Sequence, residues 1–443
     1  MPGYPPHTVV AVRPFTATPD GDEVIIGSPD EDVYLCVPSD GLEILEQLAA
    51  GHTAGQTVAE YERRHGQTPD IDDFIRSMVD AGLVHVPDPD GPPAPPPVRG
   101  RQKVRWRLSL NWISPTVARH LTGVPAIAVA VLVVAVGVAL AVDDPGLLPS
   151  PQTLLFHDGH FALLTLSTFT LAIGAVLLHE MAHAAVARSV GARASLGIGN
   201  LMYVLVAQTD ISGVWNAPRP RRYLAFVAGT IVDLVAASLL VYVLWAERRG
   251  IISLHETLVV PLLSAFLFTY FARIAFQFNF FLRTDVYYVI ATTMRCRNLM
   301  ADTEDLIRNG FSRLFRRPDR VVDQSGIPRW ERRRIRLYAG FYTLGRVFWL
   351  AVLITFFLPI LWGYAEQFVL LFTGQPYRFE TIDFITIAVL VYLVDGGGLT
   401  LWIRSLIRDN RERRAARRAA AQREAARTAD ASDEAADSTK VPA

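Results

Sequence analysis

The chain has 443 residues, 51% of them apolar and 19% charged, and its 43 basic groups equal its 43 acidic ones. That mixture reads as a membrane protein with soluble parts. Cys36 and Cys296 are too few and too far apart for a disulfide framework or a thiolate metal site, so both are expected as reduced thiols facing the cytoplasm. The amino-terminal MPGYPPHTVVAVRPF lacks the continuous apolar core of a signal peptide.

Residues 1–86 read as a small soluble α+β domain. Residues 9–12, 23–26 and 33–37 have the period-two texture of short strands, the first two separated by Thr18-Pro19-Asp20-Gly21. Three helices follow. Ser39 is expected to cap the first, which runs through Leu42, Ile44, Leu45 and Leu48 to Gly51, and Thr53 opens the second. Thr68 and Pro69 start the third, whose apolar face is Ile71, Phe74, Ile75, Met78 and Val79 before Gly82. A hairpin with three helices predicts a winged-helix arrangement. Few arginines, and Asp70, Asp72, Asp73 and Asp80 on the third helix, argue against binding to nucleic acid. In overall pattern, residues 7–86 resemble the PqqD-like domains that act as recognition elements in ribosomal peptide biosynthesis. The resemblance implies a leader peptide adding as an extra strand beside residues 33–37 and packing on the third helix. Val33, Tyr34, Leu35, Val37, Phe74 and Met78 would then form the docking surface.

Residues 87–120 form a linker that opens with PDPDGPPAPPPV, a semi-rigid polyproline spacer of about 3.1 Å per residue, and continues into a basic stretch. Such a spacer would keep a docked peptide near the membrane and raise its local concentration there. Residues 121–403 read as a polytopic α-helical membrane domain, with six spans near 124–142, 161–187, 223–245, 257–281, 338–362 and 382–403. Arg99, Arg101, Lys103, Arg105, Arg107 and Arg119 precede the first span, whereas residues 143–160 hold no lysine or arginine. The positive-inside rule then places both termini in the cytoplasm, as the arginine-rich loop 283–336 also requires. Residues 404–443 are a cytoplasmic tail, Arg/Ala-rich and suited to anionic headgroups as far as Arg427, polar and disordered beyond. Residues 196–212, rich in β-branched residues, read either as a membrane-dipping strand or hairpin or as an interfacial loop.

The second span contains His179-Glu180-Met181-Ala182-His183. Histidines four apart lie about 40° apart around a helix, so both imidazoles point the same way. Glu180 lies on the adjoining edge, near enough to reach a water held by a shared zinc ion. Charged groups near the middle of a span cost about 2.5 to 3.5 kcal/mol each, so they persist where they have partners and a task. Catalytic zinc takes three protein ligands and an open position, so a third donor must come from elsewhere. Asp285, Asp233 and Asp395 are candidates. His157 and His160 lie on the opposite side of the membrane, and Asp395 opens the Asp395-Gly396-Gly397-Gly398 break, which reads equally well as a hinge.

Taken together, the pentad and an aspartate about a hundred residues later resemble the site-2 protease family of intramembrane zinc metalloproteases. Residues 282–286 match that family's Leu-Asp-Gly type motif with Val286 for glycine, implying Asp285 as third ligand. Residues 228–233 match its Ala-Gly-Pro-x-x-Asn segment with Thr230 for proline and Asp233 for asparagine, implying that Asp233 bonds a ligand or the substrate. With a PqqD-like domain ahead of it, the chain is similar to the peptide zinc metalloproteases found with bacterial peptide natural products.

The resemblance implies a multi-pass protease of the bacterial inner membrane with Zn(2+) on His179, His183 and Asp285, and Glu180 as general base. Asn200 and Tyr203 join Asp233 as candidate substrate-binding or supporting residues. Its partners would be membrane lipids, a leader-bearing peptide and biosynthetic or export proteins. One rival is a catalytically silent membrane protein for peptide binding, export or immunity, against which the complete pentad speaks. Another is a transporter using Asp233, Arg273, Asp395 and the glycine break, against which the lack of an internal repeat speaks.

Overall fold

The structure, a computed structural model, describes residues 4–86, 107–149 and 161–352, apart from 22, 29–32, 202–203, 255–257, 297, 318–320 and 326, and scattered residues from 354 to 411. The molecule is mostly helical, with a small strand-containing region at the amino-terminal end. Among the described residues, four helical segments are long and apolar enough to cross a membrane: Pro115–Asp143, Ala162–Ser189, Arg219–Arg248 and Val259–Gln277. The described residues of 198–206 and 381–411 belong to a second unit. Its described part includes the helix Thr381–Val391.

The amino-terminal region has more strand than its periodicity suggests. Strand β1 is Ala11–Val12, and β2 (Thr16–Asp20), β3 (Glu23–Ser28) and β4 (Val33–Pro38) form an antiparallel meander. The stretch expected as a turn, Thr18-Pro19-Asp20, is strand paired with residues 23–25; the turn tightens around Gly21, whose φ of 78° suits a residue without Cβ. Helices α1 (Ser39–Ala49), α2 (Ala54–His65) and α3 (Ile71–Asp80) follow, and β5 (Val84–His85) returns to pair with β1. Thr53 and Gln56 close a capping box on α2, as two unpaired amides at a helix start favour. Two expected starts differ. Pro38, not Ser39, precedes the first turn of α1, and Asp70 rather than Thr68 or Pro69 caps α3 by accepting from the Asp73 amide. Ile26, Leu45, Leu48, Ile75 and Leu83 are all but sealed from solvent, each worth about 1.5 to 3 kcal/mol of burial.

In the helical region, β6 (Arg107–Ser109) pairs with β7 (Ser195–Leu201), and β8 (Val204–Asp210) completes their sheet, so residues 196–212 are largely strand. Helix α4 (Pro115–Leu121) breaks at Thr122 and Gly123 before α5 (Val124–Asp143). Helix α6 (Phe161–Ser189) carries the pentad and packs along α7 (Arg219–Arg248), which also packs against α5 and α8 (Val259–Gln277). A Cβ at Gly137 would sit 2.5 Å from that of Ser238, so a bare glycine sets how closely α5 crosses α7. Helix α8 stops at Gln277, short of the expected 281. Helices α9 (Asp285–Met294), α10 (Leu299–Leu314) and α11 (Arg329–Val352) share a core of Tyr287, Leu299, Ile335 and Tyr338. Helix α11 starts earlier than the expected fifth span and opens on an arginine-rich turn, while many residues of the fifth expected span beyond 352 and of the sixth beyond 391 lie outside the described residues.

The amino-terminal sheet is fastened to the start of α7. Asp20 bonds both Arg219 and Arg222, the latter at 2.9 Å, and the Arg222 side chain is almost fully buried. Thr18 donates to the Asn216 carbonyl, and a Cβ at Gly27 would collide with the Asn216 side chain. Burial alone would raise the Asp20 carboxyl, but the adjacent guanidinium groups of Arg222 and Arg219 outweigh it and hold it below its ordinary 3.8. Asp20→Ala leaves a buried guanidinium without its counterion and is expected to weaken this attachment by about 3 kcal/mol, read as faster proteolytic release of the amino-terminal region. Because the folded pKa is depressed, the Asp20 contribution is complete above the unfolded value and lost as pH falls through the folded one. Proteolytic release should therefore stay level down to about pH 4 and rise below it, and this rise should vanish in Asp20→Ala.

Candidate metal centre

His179 and His183 lie one turn apart on α6 with ring centroids 4.9 Å apart and planes at 69°. Facing them, Ala225, Gly229 and Asp233 recur every four residues along one side of α7. The Ala225 carbonyl accepts from His183 Nδ1 at 2.6 Å, and Asp233 Oδ2 accepts from His179 Nδ1 at 2.8 Å. A Cβ at Gly229 would collide with the His179 ring, so only glycine lets the α7 backbone lie against the imidazole. A carbonyl oxygen can only accept, which puts the His183 proton on Nδ1 and the lone pair on Nε2; the carboxylate of Asp233 favours the same tautomer in His179.

Asp285 is set by the way α8 ends. Beyond Gln277 the chain leaves the helix, Thr284 Oγ1 donates to the Gln277 carbonyl at 2.7 Å, and the Gln277 side chain accepts from the Asp285 amide at 3.1 Å. This places Asp285 Oδ2 3.3 Å from His179 Nε2 and 3.5 Å from His183 Nε2. Val286 lies in α9, where helical backbone has no need of glycine, and Thr230 Oγ1 reaches Asp285 Oδ2 at 3.4 Å.

With both Nδ1 protons committed, two nitrogen lone pairs face a carboxylate oxygen, an arrangement that a cation or a proton must reconcile. The ligand atoms of His179, His183 and Asp285 lie within 4.8 Å of one another. Two imidazoles and a carboxylate, with supporting bonds on the far ring nitrogens, suit zinc. Both histidines are buried, while the Asp285 side chain is 20% exposed and marks the open side. Glu180 Oε2 accepts from the Thr209 amide at 2.6 Å, and Thr209 Oγ1 donates to the Glu180 carbonyl, so β8 holds this residue by two bonds.

Asp233 is fully buried, with Arg273 Nη2 of α8 3.0 Å from its other oxygen. It therefore supports His179 and lies outside the cluster of three candidate ligand atoms. The same pair engages the two charges that a transport path would need, and Asp395 lies outside the described residues. So do His157, His160, Tyr203 and the Asn200 side chain. Sequence reasoning missed Ala225 and Thr209, gave Gly229 no role beyond its place in the 228–233 segment, and saw Arg273 only as part of a transport path. The four-residue spacing of Ala225, Gly229 and Asp233 was the available signal.

The expected peptide-docking set divides. Val37 and Met78 are buried in the amino-terminal core, because alternate β4 residues and the inner face of α3 are needed there, so their side chains are not a free surface. Leu35 and Phe74 pack partly against the same core, and the Tyr34 hydroxyl lies near Gly213 in the 3-10 turn Ser212–Asn216. The Val33 side chain is outside the described residues. Among the described residues, β4 lies at the end of its three-stranded sheet.

The chain matches no protein-family model, no curated protein and no solved structure.

Gly229→Ala is expected to push the His179 ring off its Asp233 bond and to lower zinc affinity at least about tenfold, an overpacking effect on the order of 1 to 3 kcal/mol. Gly174→Ala, on the same helix as the histidines but with nothing within 4 Å of its Cβ, should leave zinc retention unchanged. Competition with a chromophoric chelator reads both.

Proposed function

We propose that this protein is a membrane-embedded zinc endopeptidase in which His179, His183 and Asp285 hold the metal and Glu180 is the general base. The observation that carries this reading is the convergence of two imidazole Nε2 atoms on the Asp285 carboxylate, with both Nδ1 atoms already bonded. When bound, zinc supplies a Lewis acid beside a peptide carbonyl and makes water a better nucleophile at neutral pH.

The protein's own groups do the rest. Thr209 fixes one oxygen of Glu180, leaving the other to take a proton from the attacking water. Glu180 then delivers that proton to the amide nitrogen as the carbon–nitrogen bond breaks, giving a carboxylic acid and an amine, and the acid's proton passes to the amine so that they leave as carboxylate and ammonium. Asp233 keeps the His179 ring in its orientation, and Arg273 balances the Asp233 charge in a region where an unpaired carboxylate is costly.

The arrangement in the cell follows the same reading. Six crossings of the bacterial inner membrane, with both termini cytoplasmic, would include the four apolar segments found among the described residues, and the arginine-rich loop after α8 favours its placement in the cytoplasm. The substrate is a ribosomally made peptide, with its leader received by the amino-terminal region at the backbone edge of β4.

Glu180→Gln should retain zinc and lose at least about a hundredfold in hydrolysis, whereas His179→Ala and Asp285→Ala should lose both. Elemental analysis of the purified proteins and mass spectrometry of co-expressed ribosomal peptides measure the two quantities. Zinc and cleavage both surviving in Asp285→Ala would remove this reading.

A further inference from the structure

Helix α10 ends in a surface that the metal centre does not use. Phe311, Leu314 and Phe315 recur on one side of its last turn and are 58%, 73% and 67% exposed. Arg308, Arg313, Arg316 and Arg317 flank them, all exposed, and no acidic residue lies between 308 and 317. The opposite side is well anchored. Thr303 and Ser312 are buried, and the Asn309 side chain makes two bonds of 2.8 Å with the backbone of Val322. The chain then turns at Arg316, whose φ is 53°, and the Arg317 amide bonds back to the Ser312 carbonyl. Three large apolar side chains are thus held outward among four guanidinium groups by a rigid base.

We propose that residues 308–317 are an in-plane anchor for an anionic bilayer surface, with Phe311, Leu314 and Phe315 entering the acyl boundary and the arginines meeting lipid phosphates. The chemistry of the patch selects this occupant. Apolar side chains ringed by arginine match the layered interface, where the long stems lie along hydrocarbon and the charged ends reach phosphate. Arg308 is paired with Asp305 at 2.9 Å, and a second copy of the same patch would still bring Arg313, Arg316 and Arg317 against their like. The neighbouring α11 exposes Leu337, Phe341, Leu344 and Phe348 along one stripe, which suits a lipid-facing helix beside the anchor. Because α9, α10 and α11 share one core, the anchor would also fix the height of the helix that begins with Asp285. This inference needs only that the apolar helices lie in a bilayer, and it is independent of hydrolysis.

The test uses the full chain with Cys36→Ser and Leu314→Cys, labelled with a bimane dye. Cys296 is buried and its thiol is pushed up to about 11, so it stays unlabelled, which a Cys36→Ser control verifies. The labelled protein is reconstituted in phosphatidylcholine vesicles with or without phosphatidylglycerol. Phosphatidylglycerol should shift the emission to the blue and raise quenching by shallow spin-labelled lipid roughly twofold or more. Changing Arg308, Arg313, Arg316 and Arg317 together to Gln should abolish that dependence while circular dichroism stays unchanged. Emission as in water, quenched by iodide in both vesicle types, would overturn the anchor. So would a blue shift indifferent to phosphatidylglycerol, or one that disappears on dilution to a single copy per vesicle.

Discussion

Two nitrogen lone pairs and a carboxylate oxygen aimed at one point repel one another, and inside an apolar helix bundle there is little water to soften that repulsion. The arrangement at His179, His183 and Asp285 exists because the surrounding chain leaves its members no other orientation. Asp233 and the Ala225 carbonyl hold the two rings from behind, and Gln277 holds the backbone of Asp285 from the end of α8. Three separate helix segments converge there, held by two bonds to side chains that a single substitution can remove and one to a backbone carbonyl.

Helix α7 is where these constraints meet. Its first turn takes the counterion offered by the amino-terminal sheet, its next three turns supply Ala225, Gly229 and Asp233, and Ser238 further on receives the close crossing of α5. Its positions are consequently occupied by residues with specific tasks, such as a buried arginine, a bare glycine and a buried carboxylate. Burying Asp233 is made tolerable by Arg273, which brings its own charge into the apolar helix α8 and stands beside the Tyr270 ring.

Much of this was legible in the residue pattern, because its determinants are local. A four-residue repeat places two histidines on one helix face whatever the surroundings, and runs of twenty apolar residues mark helices long enough for a bilayer. What escaped the pattern depends on neighbours remote in the chain. Thr18-Pro19-Asp20 carries turn residues, yet it pairs as strand because β3 offers a ladder and Asn216, two hundred positions away, meets its Thr18 side chain. Helix α8 ends four residues early because Gln277 is needed to hold Thr284 and Asp285, and no periodicity announces that. Val37 and Met78 looked available because their strand and helix were read singly, whereas the core they share consumes both.

The bonds from Asp20 to Arg219 and Arg222 alter how the polyproline segment after residue 86 is to be understood. With the amino-terminal sheet seated directly on α7, one helical turn before Ala225, the separation between them is set by a packed contact rather than by the contour of the spacer. Anything carried on that sheet would be presented from a fixed address.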